Sequence, residues 1–168
     1  MTSAQDRARI LEETLLASDS ATRVLESYIA GAGEQGPLRA VRQNGPAQPC
    51  PAELAKALGA VGKTPEYRRV RLICGRFTLS EAENWYLPEY LSAEMNRQLE
   101  TTEIPFGQVV AALGFSRRLI RRERTEAADS PILFRHQAVL LNRDGRPFSA
   151  VSEAYRRDAV LGIASRTP

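Results

Sequence analysis

Histidine, cysteine and lysine are nearly absent from this 168-residue chain. The lone histidine, His136, has no neighbour at metal-ligand spacing and lies in a strand-like run, where it reads as structural. Two cysteines, Cys50 and Cys74, are too few for a disulfide framework and have no metal spacing, so no metal is expected. There is no Walker sequence, no GxGxxG and no GxSxG, which argues against a phosphate-cradling loop, a dinucleotide fold and a nucleophile elbow; no cofactor is expected. No apolar run approaches the length of a membrane span. The N-terminal stretch carries Asp6, Arg7, Arg9, Glu12 and Glu13, with no long apolar core behind a basic start, and points to the cytoplasm. Only Lys56 and Lys63 are lysines, so the net charge of +3 rests on arginine. The densest group is Arg117, Arg118, Arg121, Arg122 and Arg124, interleaved with Leu119, Ile120 and Glu123. It reads as the solvated face of an edge strand rather than a nucleic-acid patch.

What remains is ordinary globular composition, 43% hydrophobic and 26% charged, long enough for one domain with a substantial core. The expected domain spans residues 1–168, with 1–8 and 162–168 loose at the ends. Residues 4–17 carry Ile10, Leu11, Leu15 and Leu16 at helical spacing, and Asp19 or Ser20 is placed to cap a second helix from Ala21 to about Ala30. A short strand follows over 37–43, then a proline-rich loop, a short helix over 52–60, and strands over 67–74 and 79–87 that meet at Gly75-Arg76. Residues 91–99 read as helix, and another helix starts at Pro105 and reaches Gly114. Three strands close the chain, about 115–125, 132–142 and 147–156, with a strong turn at Asn142-Arg143-Asp144-Gly145. Successive hairpins imply an antiparallel sheet with helices on one face or at its ends, an α+β fold.

Three features stand out within that frame. In the strand over 67–74, Arg68 shares the parity of Val70, Leu72 and Cys74, so its guanidinium starts on the apolar face. An inward arginine is costly unless a carboxylate answers it, either an internal one or one on a ligand. In the last strand Glu153 shares a face with Val151 and Tyr155, where its charged form is disfavoured unless a cation answers it. The plain reading joins the two as an internal Arg68–Glu153 bridge. Between them, Ile104-Pro105-Phe106-Gly107 offers a helix start with free N–H groups and a glycine permitting close approach.

Five separated pieces, in order, resemble chorismate lyase and the wider chorismate-lyase-like (UTRA-like) superfamily. They are Leu15-Leu16-Ala17-Ser18-Asp19-Ser20-Ala21-Thr22-Arg23-Val24-Leu25-Glu26, Arg68-Arg69-Val70-Arg71-Leu72, Ala82-Glu83-Asn84-Trp85-Tyr86-Leu87-Pro88, Ile104-Pro105-Phe106-Gly107, and Gly145-Arg146-Pro147 followed by Glu153. The match runs over about residues 10–160. The resemblance implies a six-stranded antiparallel sheet with a ligand buried under helical flaps. It also implies an aromatic or cyclohexadiene carboxylate as partner, with no cofactor. By that resemblance Arg68 grips the ligand carboxylate, with Arg69 as second choice. The Phe106 and Gly107 backbone contacts the same group, and Ala21 and Asn84 line the pocket. Glu153, kept protonated, meets the far end of the ring as general acid. Chorismate would then lose pyruvate to give 4-hydroxybenzoate. Three departures bear on the ligand: Asn84 stands where the characterised bacterial enzyme has an arginine, Ala21 where it has a larger side chain, and Phe106 where the family has an aliphatic residue. The same superfamily includes non-catalytic small-molecule sensors, which is the alternative function; with no winged helix in these residues, such a sensor would act through a separate partner. A structural module with an ordinary Arg68–Glu153 bridge is the third reading.

Overall fold

The computed structural model describes residues 2–34 and 36–166. Helix α1, Ala4–Ala17, starts on a capping box in which Ser3 and Asp6 satisfy one another's backbone N–H groups. Helix α2, Ala21–Gly31, is capped by the Ser20 side chain, which accepts from the Arg23 N–H. With the cap assigned to Ser20, Asp19 is free for another task. The chain continues through β1, Arg39–Arg42, α3, Ala52–Leu58, β2, Glu66–Cys74, and β3, Phe77–Tyr86. Helix α4, Ala93–Thr101, is capped by Ser92, and the four-residue α5, Phe106–Val109, follows Pro105. Strands β4, Ser116–Arg124, β5, Ile132–Leu141, and β6, Pro147–Arg156, complete the sheet, and α6, Arg157–Ala164, follows directly.

The six strands form one antiparallel sheet in the order β1-β2-β3-β6-β5-β4. Its register fixes which side chains share a face. Arg68 pairs with Asn84, which pairs with Val151, while Val70, Ala82, Glu153 and His136 form the next row on the same side. This face is covered by α1, α2 and α6 over Val70, Leu72, Phe134 and Tyr155, and by α4 and α5 over Tyr86, Leu140 and Phe148. Helix α3 is on the other face, where Leu54 and Leu58 pack on Trp85, Val139 and Ala150.

The ends of the chain depart from the expectation. Residues 4–8 belong to α1, and Ala8 is fully buried. Residues 162–164, expected to be loose, lie in α6, with Ile163 and Ala164 in the core. Val160 and Ile163 supply the apolar face that docks the helix, and Arg7 and Tyr28 donate to its carbonyls at Ala164 and Val160. Met1, Thr167 and Pro168, also within the expected loose ends, lie outside the described residues.

Candidate functional site

Arg68 is the largest fully buried side chain, only 2% exposed, and its guanidinium has no carboxylate partner among the described residues. Nε and Nη1 are buried without any hydrogen-bond acceptor, and Nη2 has only the Ile104 carbonyl at 3.5 Å. Burial, with Arg42 reinforcing it, pushes the group down to about 10. Arg68 lines a cavity of about 50 Å³ on the helical side of the sheet. A water needs roughly 10–15 Å³ on such a measure, so the cavity has room for about four waters.

The walls gather the expected residues. Asn84 and Glu153 rise from the sheet, Ala21 from the start of α2, and Phe106 and Gly107 from α5. Asn84 is buried and donates weakly to the Ser149 hydroxyl at 3.5 Å. Phe106 and Phe115 give the chamber its aromatic lining, and behind it Phe106 packs on Tyr86 at 5.5 Å and Phe148 at 6.5 Å between ring centroids. A Cβ at Gly107 would come within 3.1 Å of Thr22 Oγ1, a close approach that would make the threonine give by a few tenths of an ångström. The α2 and α5 lids meet at that contact. As α5 has only four residues, it offers little helix dipole, contrary to the longer helix expected there.

Arg69 does not join the site. One residue along β2, it points to the opposite face, half-exposed, with Glu81 at 3.5 Å. Strand alternation alone puts it there.

The plain Arg68–Glu153 bridge is not formed either. Glu153 belongs to Arg117: Nη1 donates to Oε1 at 3.2 Å and Nη2 to Oε2 at 2.6 Å, with both side chains nearly buried. The Tyr155 hydroxyl donates to Oε2 at 3.2 Å. Burial opposes the charge on Arg117, but Glu153 overrides it and carries Arg117 above its ordinary value. A carboxylate gripped by both arms of a guanidinium has the geometry of the ionised form. The protonated Glu153 expected from sequence thus loses its physical basis, because a cation does answer it.

Arg117 was missed because β4 gives no readable parity: its only apolar residues, Leu119 and Ile120, are adjacent, and a bulge between Leu119 and Arg121 resets the pairing. Its place is fixed at the backbone by Asp19, whose Oδ1 accepts the Arg117 N–H at 2.9 Å. Arg124 also turns inward, to bind the buried Glu12 of α1, which meets His136 Nε2 at 3.5 Å. Burial pushes His136 below its ordinary value against the pull of Glu153 and Glu12. The basic run on β4 is therefore only partly a solvated face. Both cysteines are free, with Cys74 buried as expected.

No family model matches the chain. Over 176 aligned residues it is 36% identical to the uncharacterized protein y4mC of Sinorhizobium fredii (strain NBRC 101917 / NGR234), covering 89% of this chain and 73% of that protein. The chain belongs to the y4mC family. The effector domain of PhnF from Mycobacterium smegmatis superposes on this y4mC-family chain with a TM-score of 0.54 at 15% identity, covering 83% of this chain and 90% of that one. The possible transcriptional regulator YydK from Bacillus subtilis subsp. subtilis str. 168 gives 0.50 at 16% identity and covers 73% of this chain. The y4mC-family chain spans 58% of the YydK chain. The shared fold is the chorismate-lyase-like fold of regulator effector (UTRA) domains.

Proposed function

We propose that the chain is a binding domain for a small aromatic carboxylate, working as a sensor rather than a lyase. One observation carries this reading: Arg68 is charged, fully buried and unpaired at the floor of an aromatic-walled cavity. A buried unpaired cation is costly, and a ligand carboxylate is the partner a guanidinium suits. Phe106 and Gly107 line the same cavity, and their N–H groups, first in their helix and without intrahelical acceptors, are the donors that would assist. The likeness in fold to a regulator effector domain supports the same role.

Turnover of chorismate to 4-hydroxybenzoate is the second reading, favoured by Glu153 facing the same chamber as Arg68. It ranks second because the proposed acid is held by Arg117 in its ionised geometry. Purified protein incubated with chorismate, with 4-hydroxybenzoate followed by absorbance, separates the two. The sensor reading expects no turnover, together with thermal stabilisation by 4-hydroxybenzoate. At a hundredfold excess over Kd that stabilisation is about 2.7 kcal/mol, or roughly 5–10 °C in Tm. Turnover abolished by Glu153→Gln would establish the lyase. Neither turnover nor stabilisation would remove both readings.

A further inference from the structure

The cavity has two cationic side chains, and they are not equivalent. Arg68 has two nitrogens without acceptors, whereas Arg117 spends both terminal nitrogens on Glu153. The register sets the two poles apart. Arg68 is on β2 and Glu153 on β6, two strand spacings across and two residues along the same face, which places their Cα atoms about 12 Å apart. Asn84, between them on β3, adds a neutral amide and no charge.

We propose that this pocket selects ligands carrying a single negative charge, and that Glu153 sets the limit by neutralising Arg117. The inference rests on the carboxylate-binding reading above and names the ligand class. A first carboxylate meets Arg68. A second, at the far end of the ring, would meet an arginine already engaged and a carboxylate of like charge. What the far pole offers instead is an acceptor. Three donors reach the two Glu153 oxygens, two from Arg117 and one from Tyr155, and a carboxylate has about four acceptor sites. Oε1 keeps the open site, so a ligand hydroxyl or amine fits there and a second anion does not. The pocket thus disfavours dianions, chorismate included, by charge rather than by shape.

The test compares 4-hydroxybenzoate with benzene-1,4-dicarboxylate, the same ring with its far group neutral or charged, by calorimetric titration on wild type, Arg68→Met and Glu153→Gln. The expected result is binding of 4-hydroxybenzoate by wild type at least about tenfold tighter than the dicarboxylate, and no binding of either by Arg68→Met. In Glu153→Gln the freed Arg117 should reverse the order. If that variant proves too unstable to purify, the wild-type ranking decides. A wild type that binds the dicarboxylate as well as the hydroxybenzoate overturns the proposal while leaving the binding reading intact, and so does an unchanged ranking in Glu153→Gln. If no carboxylate binds wild type, the binding reading fails and this proposal with it.

Discussion

Replacing Arg68 by methionine should stabilise the ligand-free protein while abolishing its response to carboxylates. The guanidinium, pushed down to about 10 by burial and Arg42, keeps its charge at neutral pH against the preference of its surroundings. A depression of that size corresponds to about 3 kcal/mol of destabilisation. The sign follows from its direction: the folded state holds this proton less tightly than the unfolded chain. The cost is fully present below about pH 10 and is relieved as pH rises through the folded value. Methionine keeps an unbranched side chain of similar reach and removes the charge. It forfeits only the long contact to the Ile104 carbonyl at 3.5 Å, worth under about 1 kcal/mol. The net expectation is a gain of about 2 kcal/mol, or roughly 4–8 °C in Tm for a domain of this size. Urea unfolding at pH 7 measures the first quantity, and thermal shift with and without 4-hydroxybenzoate measures the second. A variant less stable than wild type would mean that Arg68 is a structural residue and that the reasoning from its empty valences is unsound. A more stable variant that still responds to ligand would place the binding site elsewhere.

Two other substitutions test the chamber and its support. Gly107→Ala places a Cβ at 3.1 Å from Thr22 Oγ1, so Thr22 must give by a few tenths of an ångström; the strain should hasten ligand release in stopped-flow measurements and offset the stability that a helical alanine otherwise gains over glycine. Thr22→Ala in the same chain should restore both, and simple additivity of the two changes would refute the contact. Arg124→Met removes the nearest cation from Glu12, only 2% exposed, and leaves it His136 Nε2 at 3.5 Å and Arg122 Nη2 at 4.0 Å; it should cost about 2–3 kcal/mol in urea unfolding. Glu12→Gln instead leaves Arg124, whose side chain is 30% exposed, free to take up water, and should cost about 1–2 kcal/mol; equal costs would contradict this assignment of the buried partner.

The helices over 4–17 and 21 to about 30 were legible from apolar spacing, with Ser20 one of two expected caps for the second, and the inward faces of Arg68 and Glu153 followed from the period-two pattern of β2 and β6. Strand parity likewise separates Arg68 from Arg69. Helix α6 was not legible: β6 runs into it at Arg157 with no glycine or proline between, and Gly162, taken for a loose tail, is carried inside the helix. The partner of Glu153 was hidden for a different reason. Arg117 comes from a strand whose pattern is broken by a bulge, and its pairing is long-range, set by strand order rather than by anything local to either residue.

That hidden partner explains why Arg68 stays empty. Elsewhere on this face inward charges are matched: Glu12 takes Arg124, and Glu153 takes Arg117. Arg68 is not unpaired for want of a carboxylate on its face of the sheet, since Glu153 lines the same cavity. It is unpaired because β4 answers that carboxylate first, from the far edge of the sheet and in bidentate geometry. The Asp19 contact that anchors Arg117 also sits on the turn leading into α2, whose first residues roof the cavity. Edge-strand arginines that read as a solvent face therefore have a second consequence. By engaging the carboxylate at the far end of the chamber, Arg117 leaves a positive, unsatisfied site at Arg68, where an incoming anion gains most.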